Sequence, residues 1–307
     1  MALKEAQQIK RITASGGGTL TASQDESYRI RRIYCNPSSN DTYLTLIVES
    51  TTIGKIRVKG LSGNHAPYPA MQLSQAYEAV ATDIFALAEK LGFDMSIPVA
   101  SGETFKIERY AEAGDVTIVY DVYDAGDVKP TEPNGSKSNV RRYIHYATNS
   151  SAATSSPVDV DSSLIWSGGP QWPFDGSGVA ERNIFRIRAI LGCPCAGGDG
   201  SANKGYTTHL RLIHRNNYLF DVDRNGIPFL GDSGATADAT AYKAVASLIG
   251  PMTAEVPKPP LILEPVLEYD EGEKLTVQVV VGGAAADGIE ANEIDLALLM
   301  EHEYLST

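Results

Sequence analysis

Short runs in which apolar and polar residues alternate recur along the chain, and clusters of turn-forming residues separate them. In the first half they are YRIRRIYC (28–35), TYLTLIVE (42–49), TIGKIRVK (52–59), GETFKIER (102–109) and VTIVYDVY (116–123). β-Branched residues and Tyr at a period of two predict strands. In VTIVYDVY the alternation sets Val116, Ile118, Tyr120 and Val122 on one face. One segment has a different period. Leu73, Ala76, Tyr77, Val80, Ile84, Leu87, Ala88 and Leu91 recur at spacings of three and four, which predicts a helix over 71–93 stopped at Gly92. The second half repeats the order: strands at NIFRIRAIL (183–191), THLRLIHR (208–215) and NYLFDV (217–222), a helix at 238–250, then strands at EKLTVQVVV (273–281) and EIDLALLMEHEYL (293–305).

The likeness between the halves extends to residues. Arg29–Ile33 (RIRRI) and Arg186–Ile190 (RIRAI) agree at four of five positions with an offset of 157. TYLTLI (42–47) and THLRLI (208–213) agree at four of six, offset 166. Gly102-Glu103 and Gly272-Glu273 each head a strand, offset 170. Three matches in one order, with a slowly drifting offset, point to an internal duplication. Between the copies, residues 128–180 are rich in Pro, Gly, Ser, Asn and Asp, and read as a linker with long loops and one strand near RRYIHYAT (141–148). The expected domains are therefore 1–127 and 181–307, joined by 128–180. Short strands with little strand–helix alternation predict two antiparallel β-sandwiches and exclude a doubly wound parallel sheet.

Composition narrows the function. The chain has 307 residues and a net charge of −12, which argues against a dedicated nucleic-acid binder. Three cysteines cannot build a disulfide framework, and the N-terminus lacks a signal-peptide core, so synthesis in a reducing cytoplasm without a secretion signal is expected. No apolar run reaches bilayer-spanning length. The motifs of serine hydrolases, zinc proteases, P-loops and dinucleotide folds are absent, so no catalytic residues are assigned.

A few local patterns bear on chemistry. Asp221, Asp223, Asn225 and Asp232 give DxDxNGxxxxxD, hard oxygen donors at calcium-loop spacing with Gly226 for the sharp turn. No helix flanks the loop and Pro228 takes an apolar strand position, so an ion-free turn between strands explains the same residues. Calcium is the one candidate cofactor. Cys193 and Cys195 form a CxC in a glycine-rich loop, without a second ligand pair. His209 and His214 stand five apart on one strand and so on opposite faces, unsuited to sharing a metal; His65, His145 and His302 are scattered. Gly16-Gly17-Gly18 reads as a turn in a polar leader. Arg29, Arg31, Arg32, Arg186 and Arg188 read as outward or edge charges on strands, or as subunit contacts. Asp121 and Asp124 flank a strand with nothing to mark an acid–base pair. Trp166 and Trp172 sit in a loop, either packed on their own domain or anchoring an interface.

The paired motifs RIRRI/RIRAI and TYLTLI/THLRLI, with a helix at the corresponding place in each half, make the chain resemble the double jelly-roll major capsid proteins of the adenovirus and tectivirus lineage. The resemblance implies an all-β fold of two tandem eight-stranded antiparallel jelly rolls, each with a helix before its last strand pair. It implies a non-enzymatic building block of an icosahedral virion: a homotrimer whose six lobes form a pseudo-hexagon, partnered by its own copies and by minor capsid, penton or membrane proteins. It also suggests that the leader MALKEAQQIKRI faces the particle interior or a membrane, where a frayed terminus is the alternative. The competing readings are a phage tail, baseplate, receptor-binding or carbohydrate-binding β-protein and, further off, a jelly-roll metalloenzyme.

Overall fold

The computed structural model describes residues 3–13, 16–35, 42–58, 71–72, 94, 96–109, 115–129, 140–152, 156–161, 170–193, 208–220, 227–229, 261–281 and 295–305. Every regular element among them is a strand. The first nine are β1 (Leu3–Ile12), β2 (Gly17–Thr21), β3 (Glu26–Cys35), β4 (Thr42–Val48), β5 (Thr51–Val58), β6 (Met71–Gln72), β7 (Ile97–Val99), β8 (Thr104–Arg109) and β9 (Val116–Asp124). The remainder are β10 (Val140–Asn149), β11 (Val158–Asp161), β12 (Asn183–Cys193), β13 (Thr208–His214), β14 (Asn217–Leu219), β15 (Ile227–Phe229), β16 (Leu261–Tyr269), β17 (Leu275–Val281) and β18 (Asp295–Tyr304).

The chain forms two compact units, Met1–Ile144 with Glu301–Thr307, and His145–Met300. The division falls inside β10 and β18. The stretch 128–180 carries the strand expected near RRYIHYAT, β10, and a second one, β11.

In the first unit one sheet runs β1-β9-β3-β6, with β7 also pairing β3, and β5-β4-β8-β2 form a second ladder. Alternation buries one face of each strand: Leu44, Leu46 and Val48 on β4, Phe105 and Ile107 on β8, Ile30 and Ile33 on β3. All are at most 1% exposed, the pattern of a two-layer sandwich. On β9 the alternation breaks near Tyr120. Val116, Ile118 and Val122 are buried as expected, but Tyr120 is half-buried and Asp121 and Tyr123 are buried as well. Register shifts lie beside this point on both neighbours, between Ile30 and Arg32 of β3 and between Glu5 and Gln8 of β1.

The second unit repeats this wiring. β12 pairs β16 and β18 as β3 pairs β7 and β9. β13 pairs β17 and β14 as β4 pairs β8 and β5, and β11 lies beside β17 as β2 lies beside β8. The irregularities differ: against β9, β3 carries one extra residue at Arg31, whereas between Ile187 and Ala189 of β12 the extra residues lie on β16, between Ile262 and Leu267. The buried face again comes from alternation, with Leu210 and Leu212 on β13 and Leu275, Val277 and Val279 on β17.

Three expectations change. The polar leader is strand β1, in register with β9 from Gln8–Tyr120 to Ile12–Val116, in place of a frayed end. Gly17 is the start of β2 in place of a flexible turn: at φ 103° its absent Cβ would stand 1.9 Å from Ile107 O of β8, so the close pairing of β2 and β8 requires glycine there. Met71 and Gln72, expected as the first helical residues, form β6 in parallel register with Tyr34 and Cys35. The remainder of that helix, 73–93, and the one at 238–250 lie outside the described residues.

Candidate functional site

Two features concentrate the polar chemistry: a corner that occurs in both units, and a charged face on the first unit's sheet.

The corner is built where Gly-Glu heads a repeated strand. In the first unit Glu103 N donates to Ala100 O (2.9 Å), Gly102 N to Ala22 O (3.2 Å) and Ala22 N to Glu103 O (3.0 Å). In the second, Glu273 N donates to Asp270 O (3.0 Å), Gly272 N to Val179 O (2.8 Å) and Val179 N to Glu273 O (2.9 Å). The glutamate also caps its own turn: Ala100 N donates to Glu103 Oε2 and Asp270 N to Glu273 Oε2, both at 2.9 Å. The glycines take φ +80° and +79°, the left-handed conformation such a turn needs.

A hairpin residue reaches each corner from the neighbouring strand. Glu49 (φ 54°), following β4, accepts the Thr104 N–H through Oε1 at 2.6 Å. Arg215 (φ 49°), following β13 at the equivalent position, forms an ion pair with Glu273. The position is kept while its chemistry is exchanged. In the second unit His214 Nε2 also stands 3.4 Å from Glu273, and Trp172 Nε1 donates to Glu273 O at 3.3 Å.

Gly102→Ala and Gly272→Ala should each lower stability by about 1 kcal/mol, the cost of holding an L-residue left-handed. Gly272 has open space around its missing Cβ and Gly102 faces the flexible end of Gln24 at 3.2 Å, so the two losses should match in chemical denaturation.

The charged face belongs to β3. Arg31 Nε donates to Asp121 Oδ2 at 2.8 Å, and Gln7 N donates to Asp121 Oδ1 at 2.9 Å. A carboxylate this buried requires such partners, and here a β1 backbone donor and a β3 guanidinium supply them. Arg29 Nη1 reaches Asp94 Oδ2 and Ser96 Oγ, each at 3.1 Å. Arg31 and Arg142 lie 3.8 Å from the same Asp94 carboxylate. Burial alone would raise the Asp94 pKa, but hydrogen bonds from Ser96 and the charges of Arg29 and Arg142 outweigh it and hold Asp94 below its ordinary value. Beside this network Ala6, Gln7, Ile9, Arg31, Arg32, Tyr34, Val119 and Asp121 line a pocket of ≈540 Å³.

The arginine stripe is thus largely matched by carboxylates; on β12, Arg186 pairs with Glu268. Asp121 and Asp124 part company, Asp124 taking Lys4 Nζ at 3.0 Å. His209 and His214 fall on opposite faces of β13, where His214 packs on Tyr269 with centroids 5.0 Å apart. Trp172 packs within its own unit, stacked on Phe185 at 5.0 Å. Cys193 closes β12. The calcium-loop residues Asp221, Asp223, Asn225 and Asp232, with Cys195, His65 and Trp166, lie outside the described residues. Among the described residues no three metal-ligating side chains converge. Sequence reading missed the buried state of Asp121 and the glutamate caps, although the Gly-Glu pairs were themselves visible as repeats.

No family model and no curated protein matches the sequence. Among solved structures the chain is similar to the major capsid protein P2 of bacteriophage PM2, with a TM-score of 0.39 and 9% identity over 99% of this chain and 98% of that one. It is also similar to a chain of the Sulfolobus turreted icosahedral virus, with a TM-score of 0.22 and 12% identity over 97% of this chain and 60% of that one.

Proposed function

We propose that the chain is a structural protein, the major capsid protein of an icosahedral virion, acting as a homotrimer. The observation that carries this reading is the duplication, now seen in strand pairing and in the hydrogen bonds of the corners as well as in sequence. A chain with two like sandwiches gives six like lobes around a three-fold axis, so trimers tile a hexagonal net without six-fold symmetry. Few other uses need two copies of a sandwich whose polar groups are spent on holding corners and sheets. The paired arginines and carboxylates serve the fold, which suits a brick better than a catalyst. Assembly in the host cytoplasm, and partners such as penton or membrane proteins, follow from the same reading.

The test is the mass of the purified full-length chain. The chain is 32.9 kDa, so light scattering coupled to size exclusion should give about three times that mass, and electron microscopy should show six-lobed particles or sheets. A chain that stays monomeric at high concentration would overturn the proposal.

A further inference from the structure

The two copies differ in how the chain reaches the corner. Gly17 of β2 stands opposite Glu108, and Asp159 of β11 stands opposite Gln278, its equivalent 170 positions on. Ala22 and Val179 then make the same corner bonds. Ala22 follows Gly17 by five positions, but Val179 follows Asp159 by twenty. The second copy therefore carries fifteen extra residues at this place. Their described part, 170–178, pairs with no strand and lies on the second unit as a strap.

Two rings hold the strap down. Trp172 lies against Phe185 and Tyr269 and donates to Glu273 O. Phe174, itself buried, stands edge-on to His145, which is fully buried and has a hydrogen bond with the Trp172 backbone. Beyond them Asp175, Gly176 and Ser177 are exposed, with Asp175 accepting from Ser177 N and Oγ inside the same turn. His145 is thus a floor beneath the strap. The Phe174 ring and the Trp172 backbone face it, and no charged side chain among the described residues offsets its burial. The charged and titratable groups bordering the strap, Glu273, Arg215, His214 and Tyr269, gather instead where Trp172 sits.

We infer that the strap is a proton-operated latch: when His145 takes up a proton, residues 170–178 lift and expose Trp172 and Phe174, while the sheets of the second unit stay paired. A buried imidazolium needs water, and two motions could supply it. Parting the sheets breaks the β12–β16 and β13–β17 ladders. Lifting the strap breaks no ladder and costs the contacts of two rings, so the smaller opening comes first. Burial holds His145 down to about 3 under the closed strap, and water returns it to about 6.5 once the strap is open. Acid therefore favours the open form across that whole range. The latch does not depend on the capsid reading.

Hydrogen exchange of the full-length chain, read by mass spectrometry in mild denaturant, tests this. After correction for intrinsic rates, the strap should lose protection about 25-fold from pH 7 to pH 5. At both pH values it should exchange faster than β13 and with less dependence on denaturant. His145→Asn should abolish the pH dependence of strap exchange. If the strap exchanges only together with β13, or keeps its pH dependence in that variant, the latch is overturned. Should His145→Asn fail to fold, His214→Gln decides. The latch keeps its pH dependence there, and a loss of it would assign the proton to His214 and overturn the proposal.

Discussion

Trp172→Ala should destabilise the second unit by about 3–5 kcal/mol, among the largest losses available from one side chain. Trp172 is 3% exposed although it lies in a stretch without regular structure. Its ring stacks on Phe185 of β12, with planes 14° apart, and lies 4.8 Å from the Tyr269 ring of β16. Its Nε1–H donates to Glu273 O, the carbonyl that also receives Val179 N in the corner. Truncation therefore opens a cavity between two strands and removes a donor from the turn that joins β16 to β17. Phe220→Ala, at a 57% exposed position in the same unit, should stay within about 0.5 kcal/mol. Urea denaturation followed by fluorescence and circular dichroism checks both. Similar small effects from the two substitutions would mean that Trp172 does not hold the corner.

Mild acid should destabilise the chain strongly. Burial pushes His145 down to about 3 and His302 down to about 4, the latter with help from the charge of Arg141. In the unfolded chain both return to about 6.5. Their folded values are the lower ones, so below pH 6.5 the unfolded state takes up protons that the folded state refuses. Stability is then full above that pH, falls as pH drops to about 4 for His302 and about 3 for His145, and loses nothing further from these groups once both states are protonated. At pH 5 the loss is about 2 kcal/mol from His145 and somewhat less from half-buried His302. His145 stands edge-on to Phe174, 4.8 Å between centroids, and a backbone hydrogen bond at Trp172 offsets only part of the cost of charging the buried ring. Denaturation midpoints at pH 7 and pH 5 measure the loss. His145→Asn should flatten the pH slope by close to one proton, and an unchanged slope would show that this ring does not titrate with unfolding.

The strands legible from sequence are those with one dry face. On β4, β8, β13 and β17 the period of two survives into the structure because each has a core on one side and water on the other. The repeat was legible for the same reason: Ile30 and Ile187, or Leu44 and Leu210, are held in place by burial. β1 was not, because LKEAQQIKRI is exposed on both faces and so carries no hydrophobic period. β10 was legible as RRYIHYAT even within a turn-rich stretch. The buried Asp121 was invisible because its partners, the Arg31 guanidinium and the Gln7 N–H, come from β3 and β1, and nothing in VTIVYDVY records them. Glu103 and Glu273 read as strand heads, although their structural reason is a carboxylate that accepts the backbone N–H three residues back, a short-range signal resembling a helix capping box but placed on a β-turn.

The matched corners have a practical use. Because Gly102 and Gly272 close the same hydrogen-bonded turn in two separate units, every substitution there arrives with its own internal control on the same polypeptide. A solvent, temperature or partner that affects one turn and spares the other reports on its surroundings, since the turn's own hydrogen bonds are common to both.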